Sequence, residues 1–232
     1  MRSTVVLAGL MALAAGASSA SAQDVLASFS YDSLSGSYVA STATTGTFSA
    51  AAANTQSLTT GGFFQRIVPA VGTADFPNGF VSDLNAADIF TSMSITKTSA
   101  STADGFGSIT IVDVDGDVFT ATINGVNNPG TPQTEGWSEI APGFAVFSGS
   151  LSNISFTSND GLFNGYTGSF GVPLPADFLE GAIVNLVVGG GTNFFNTSYA
   201  NRAVGISGQI IPTPGALALM GLGGLAAARR RR

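Results

Sequence analysis

Apolar and polar residues alternate with a period of two along several stretches of this chain. Ile89, Thr91, Met93 and Ile95 fall on one side of an extended segment, with Ser92, Ser94 and Thr96 on the other. Val204, Ile206, Gly208 and Ile210 alternate in the same way with Gly205, Ser207 and Gln209. Side chains on a strand point to opposite faces in turn, so this period predicts β-strands with one face buried. The run from Ala182 to Val188 is almost continuously apolar and lies between Gly181 and Gly189-Gly190-Gly191, which predicts a strand buried on both faces. Further strands are expected over residues 25–31, 144–150, 151–157 and 166–170. Between the two ends of the chain no long stretch shows a helical apolar stripe.

One hairpin is marked by its turn. Two β-rich runs, 108–114 and 117–123, flank Asp115-Gly116. An Asp-Gly pair between strands favours a two-residue type I′ turn, because both central positions need positive φ. That register would set Val112 opposite Phe119 and Ile111 opposite Thr120. Residues 35–60 are polar and alanine-rich with Phe48 as their main apolar anchor, and read as an irregular strand pair or a loose flap. Short strands separated by Gly-rich turns point to an all-β chain, a single antiparallel β-sandwich or jelly-roll-like domain.

The two ends follow other rules. Arg2 supplies a positive start, residues 5–17 are apolar, and Ala20-Ser21-Ala22 is an A-x-A cleavage site, so residues 1–22 read as a signal peptide and the mature chain starts at Gln23. At the other end Pro212 and Pro214 stop the preceding strand, since proline has no N–H to give to a ladder. The 14 apolar or small residues from Gly215 to Ala228 follow, then Arg229, Arg230, Arg231 and Arg232. As a helix this run would reach about 21 Å at ~1.5 Å per residue. A bilayer core is about 30 Å thick, so the run is short for a permanent span. The domain between the ends is 23–211, a length that suits one core.

The tail resembles the PEP-CTERM sorting signal of exported bacterial proteins. The likeness rests on Pro212-Thr213-Pro214-Gly215-Ala216-Leu217-Ala218-Leu219, the apolar Gly221-Leu222-Gly223-Gly224-Leu225 and the terminal arginine cluster. It covers only the last 21 residues, 212–232, and Thr213 stands where the family usually has glutamate. The resemblance implies export to the cell envelope or surface, and transient membrane insertion through the tail. It also implies processing by an exosortase, a membrane transpeptidase-like enzyme, in a bacterium that produces exopolysaccharide.

Removing both ends changes the charge. Only Arg66, Lys97 and Arg202 remain against 14 acids, a balance of −11. Such a domain lacks the basic surface that nucleic acid or anionic lipid requires. There is no cysteine and no histidine, so disulfides, thiol nucleophiles, His-based triads and His-ligated zinc or haem are excluded.

Three motifs could carry chemistry. Asp113-x-Asp115-Gly116-Asp117 looks like the start of a calcium loop, because hard oxygens at alternate positions can converge on Ca²⁺. It is not an EF-hand: glycine falls at the fourth place and Asn124 sits where the bidentate glutamate belongs. The plainer alternative is a turn with solvated carboxylates. Glu135-Gly136-Trp137-Ser138-Glu139 sets two glutamates around the only tryptophan. Indole stacks on sugar rings and paired carboxylates serve glycoside hydrolysis, although the same segment could bury Trp137 in the core. Ser94-x-x-Lys97 has the spacing of penicillin-recognising enzymes, but in an alternating strand the two side chains point apart.

Three functional classes follow. The first is a non-catalytic envelope or matrix protein. The second is a carbohydrate-binding module using Trp137, aided by calcium. The third is a carboxylate-based hydrolase or lyase. An exposed aromatic platform would favour the second, and a cleft lined by two facing carboxylates the third.

Overall fold

A computed structural model describes residues 25–67, 72–77, 88–127, 135–169, 182–189 and 192–211. The signal peptide with its cleavage residues Ala20, Ala22 and Gln23, and the whole tail from Pro212, lie outside the described residues. Among the described residues the chain is all β, apart from one 3-10 turn at Asn193–Phe195. The strands are β1 (Ala27–Ala40), β2 (Thr45–Ala51), β3 (Gly61–Arg66), β4 (Gly72–Phe76), β5 (Asp88–Lys97) and β6 (Thr102–Val112). They continue with β7 (Val118–Gly125), β8 (Gly136–Ala141), β9 (Phe144–Thr157), β10 (Ala182–Val188) and β11 (Tyr199–Ile210). No described helix is long and apolar enough to cross a membrane.

The strands close into a barrel rather than stacking as the two sheets of a sandwich. The antiparallel order β11-β10-β9-β7-β6-β5-β2-β1 returns to its start because β1 pairs with β11. Closure removes the free edges that a sandwich keeps. It is possible because β1 is long enough to have two neighbours in series on one side. Its first half, Ala27–Asp32, pairs with β3, and its second half, Ser35–Ala40, pairs with β2. Ser33, at φ 60°, lies at the break between them. Of the two readings of 35–60, the strand pair is the one found: the second half of β1 and β2 pair as barrel wall, with Phe48 buried.

An eight-stranded barrel is just wide enough to be filled by side chains. Here two aromatic clusters fill the ends. Phe29, Phe64, Phe119, Phe156 and Phe163 interlock at one end, with Phe64 5.3 Å from Phe119 and 5.4 Å from Phe163. The β3–β4 hairpin supplies Phe64 and covers that end. Tyr38, Phe48, Trp137, Phe147 and Phe195 fill the other, where β8 bridges β6 and β9.

Several expectations are revised. β10 alternates instead of being buried on both faces: Ala182, Val184, Leu186 and Val188 are buried, while Ile183 and Val187 are 45% and 47% exposed. One face of every barrel strand looks outward, so a continuous apolar run does not imply double burial. The stretches 144–150 and 151–157 are one strand, β9. At 166–169 there is no strand, only isolated bridges from Thr167 to Asp75 and from Asn164 to Ser169, and Phe170 lies outside the described residues.

The 108–123 hairpin is real but its register differs by one. Ile111 faces Phe119 and Val112 faces Val118. The Asp113 N–H donates to the Asp117 carbonyl at 2.9 Å, leaving a three-residue loop with Gly116 at φ 96°. This loop class keeps glycine at its left-handed position without the type I′ pair. The core decided the register. Ile109 and Ile111 must share the inner face with Phe119, Ala121 and Ile123, and a one-residue slip would turn one set outward.

Candidate functional site

The Asp113–Asp117 loop closes one end of the barrel against the polar segment 158–164 that follows β9. Pairing of residues 113 and 117 across the hairpin puts both side chains on its inner side, where each is at most 2% exposed. Asp115, at the tip, is exposed. One carboxylate oxygen from each of the three lies within 4.8 Å of the others.

The buried carboxylates are occupied by protein donors. Asp113 Oδ1 accepts the N–H of Asp115 at 3.1 Å and of Asp117 at 2.7 Å. Its Oδ2 accepts the N–H of Asn164 at 2.7 Å. Asp117 Oδ1 accepts the N–H of Asn159 at 2.6 Å, and its Oδ2 accepts the Ser158 hydroxyl. The Asn164 amide donates to Asp115 Oδ2 at 2.9 Å and to Asp160 Oδ2 at 3.4 Å. The aspartates thus clamp the β6–β7 turn to the 158–164 segment. Charge-assisted bonds of this kind are among the stronger ones.

The electrostatics follow from burial. Desolvation pushes the Asp113 carboxyl up to about 7, the hydrogen-bonded Asp115 side chain adds to the rise, and the backbone N–H donors of Asn164, Asp117 and Asp115 oppose it. Asp115 is held below the usual carboxylate range, chiefly by its hydrogen bond with Asp113. A hard cation would find suitable oxygens here. The structure accounts for both buried carboxylates without one, because every oxygen of Asp113 and Asp117 already has a donor. Neither Asn164 as a partner of Asp113, nor Ser158 and Asn159 as partners of Asp117, was recognisable from spacing. Their polar, turn-forming run Ser158-Asn159-Asp160-Gly161 was the available signal.

The Glu135–Glu139 cluster is not a glycan platform. Trp137 is 0% exposed, packed 5.1 Å from Phe48, 5.3 Å from Phe147 and 5.1 Å from Phe195 by ring centroids. Its room comes from Gly105 and Gly125, which face each other across β6 and β7. A Cβ at Gly105 would lie 2.8 Å from Trp137 Nε1, and one at Gly125 2.5 Å from the Phe147 ring. An indole enclosed in this way offers no face to a sugar. Glu135 is exposed just before β8. Glu139 accepts the Gly143 N–H at 3.0 Å and serves the β8–β9 turn.

Ser94 and Lys97 also separate as expected from alternation. Ser94 donates to the Phe106 carbonyl, while the Lys97 ammonium donates to Asn196 Oδ1 and sits 5.8 Å from the Phe194 ring centre.

A different feature was not visible in the sequence. The outer wall where β3, β1, β11 and β10 meet holds a groove of about 340 Å³. Its wall includes Ser28, Ser30, Phe63, Ile183, Asn185, Ser207 and Gln209, with no ionisable side chain among its lining residues. In comparisons with known proteins, no family model, no curated protein and no solved structure matches this chain.

Proposed function

We propose that this chain is an exported, non-catalytic protein of a bacterial cell envelope or extracellular matrix, sorted through its C-terminal tail by an exosortase-type membrane enzyme. The observation that carries the reading is the order of segments. A leader with an A-x-A site precedes the barrel, and Pro212-Thr213-Pro214, an apolar run and four arginines follow it. The barrel suits removal of both ends. The first and last described strand residues, Ala27 and Ile210, are direct partners, so cuts before Val25 and after Ile211 would leave every pairing among the described residues intact.

The competing classes lose their particular support. A binding module built on Trp137 needs an exposed indole, and this one is enclosed. A hydrolase built on Glu135 and Glu139 needs two facing carboxylates, and Glu139 is engaged with Gly143.

Intact-mass analysis of the native protein, with cell fractionation, tests the proposal. The expected mass lacks residues 1–22 and everything from near Pro212, and the protein is found in the envelope or the medium. Retention of Met1 would overturn the export half, and retention of the arginine block the sorting half.

A further inference from the structure

The groove on the outer wall has a lining that is both polar and free. Three strands lay six outward side chains side by side. Ser28 is opposite Gln209, which is opposite Ile183, and Ser30 is opposite Ser207, which is opposite Asn185. Neighbouring strands are about 4.8 Å apart and alternate residues on a strand about 6.6 Å, so these groups form a regular grid. Phe63, paired with Ser30, walls one side, and half-exposed Ile183 the other. Among the described residues, the Ser28, Ser30, Asn185, Ser207 and Gln209 side chains have no hydrogen-bond partner. They present hydroxyls and carboxamides, each able to donate and to accept.

We propose that this groove binds a neutral, polyhydroxylated ligand, a segment of uncharged polysaccharide. The lining selects against the other classes. With no cation in it, and in a domain of charge −11, it has nothing to hold a phosphate, a sulfate or a uronate. With no carboxylate, it has nothing to hold a metal or an amine. An extended peptide would bind by adding a strand, but β1, β11 and β10 are each paired on both sides here and have no open edge. What remains is recognition by side chains alone. Hydroxyls and amides exchange hydrogen bonds with sugar hydroxyls, and Phe63 and Ile183 cover the apolar C–H faces of the rings.

The wall around the groove favours a chain over a single sugar. From Gln209 the outward row runs through Ile183, Ser150, Asn124, Phe106, Ser94 and Thr47 across successive strands, with no charge. A polymer leaving the groove therefore continues over more of the same uncharged surface. The volume fits the lower range of small-ligand sites, and an open site without deep pockets gives weak affinity per unit.

The inference goes beyond the export reading and does not depend on it, since it is tested on purified full-length protein. Affinity electrophoresis through gels containing an α-glucan, a β-glucan, a galactan or a mannan, with alginate as the anionic control, gives the measurement. At least one neutral polymer should retard the protein, with apparent affinity at least about tenfold above that for alginate. Ser207→Trp, which fills the groove from the outside, should abolish the retardation, and Asn185→Ala should weaken it several-fold. Ala43→Trp, exposed in the β1–β2 turn at the far end of β1 from Ser28 and Ser30, should leave it unchanged. Circular dichroism confirms that each variant is folded, and Asn185→Ala carries the test if Ser207→Trp is not. Absence of retardation by every neutral polymer overturns the proposal. So does retention of binding in the folded groove variants, or preference for alginate. An intact mass that shows no processing would overturn the export reading alone.

Discussion

Two acidic clusters in this chain have the same spacing and opposite fates. Asp113, Asp115 and Asp117 alternate, as do Glu135, Trp137 and Glu139. The first set straddles a hairpin loop, so the chain reverses and brings its outer members together on the inner side. The second set leads into and along a strand, so its members are strung out. Only Trp137 enters the barrel, while Glu135 stays in solvent and Glu139 meets its own turn. Spacing alone does not make a site. Whether the backbone turns within the motif decides whether its side chains converge.

The contrast is sharpest under substitution. Trp137→Ala should have the largest effect, because it empties a slot shaped by Gly105 and Gly125. Urea unfolding should show a loss of about 3–5 kcal/mol. A loss below about 1 kcal/mol would mean that the indole is not the centrepiece of that end. Asp117→Ala should come next. It strands the Asn159 N–H and leaves the Ser158 hydroxyl only its 3.3 Å bond to the Leu162 carbonyl, at about 1–3 kcal/mol, and hydrogen exchange should quicken in 158–164 before the barrel opens. Unchanged protection there would break the clamp.

The pH response is a smaller effect with a definite sign. Asp113 has a folded value near 7, above its unfolded value, so the folded state holds the extra proton. Its contribution is fully present below about pH 4 and is lost as pH rises toward about 7. Asp115, shifted down, acts oppositely: its contribution is present above its unfolded value and is lost as pH falls through the folded one. Melting temperature should therefore fall between about pH 4 and pH 7. Millimolar calcium should leave this curve unmoved if the aspartates are a clamp. A rise in melting temperature at pH 8 on adding calcium would make the loop a cation site instead.

Gly116→Val should cost about 1 kcal/mol. No atom lies within 4 Å of the added Cβ, so the cost is backbone strain at φ 96° and not a clash. Glu139→Gln should be smallest, within about 0.5 kcal/mol, because the amide oxygen still accepts the Gly143 N–H.

Much of this was legible in the residues. The alternating runs at 89–96 and 204–210 are β5 and β11, and their apolar members Ile89, Met93, Ile95, Val204, Ile206 and Ile210 are all buried. The 108–123 hairpin was legible, but its register was read one residue off, although Ile109 and Ile111 share the inner face with Phe119, Ala121 and Ile123. The Asp-Gly pair pointed to a shorter loop, and the inner-face pattern outweighed it. The groove was not legible, since serines on outward strand faces read only as solvent-facing positions until three strands set them side by side.

The chain by itself determined that the domain is β, which side of most strands is apolar, and that thiol and imidazole chemistry are absent. These properties depend on residue type and on a period of two, which are local. Only the tertiary structure decided that β1 meets β11 to close a barrel, that Trp137 is enclosed, and that Asp113 and Asp117 bind a segment more than 40 residues away. Those outcomes depend on which distant strands become neighbours. Pairing is set by the joint fit of all the inner faces around one core, and no single stretch of sequence contains that information.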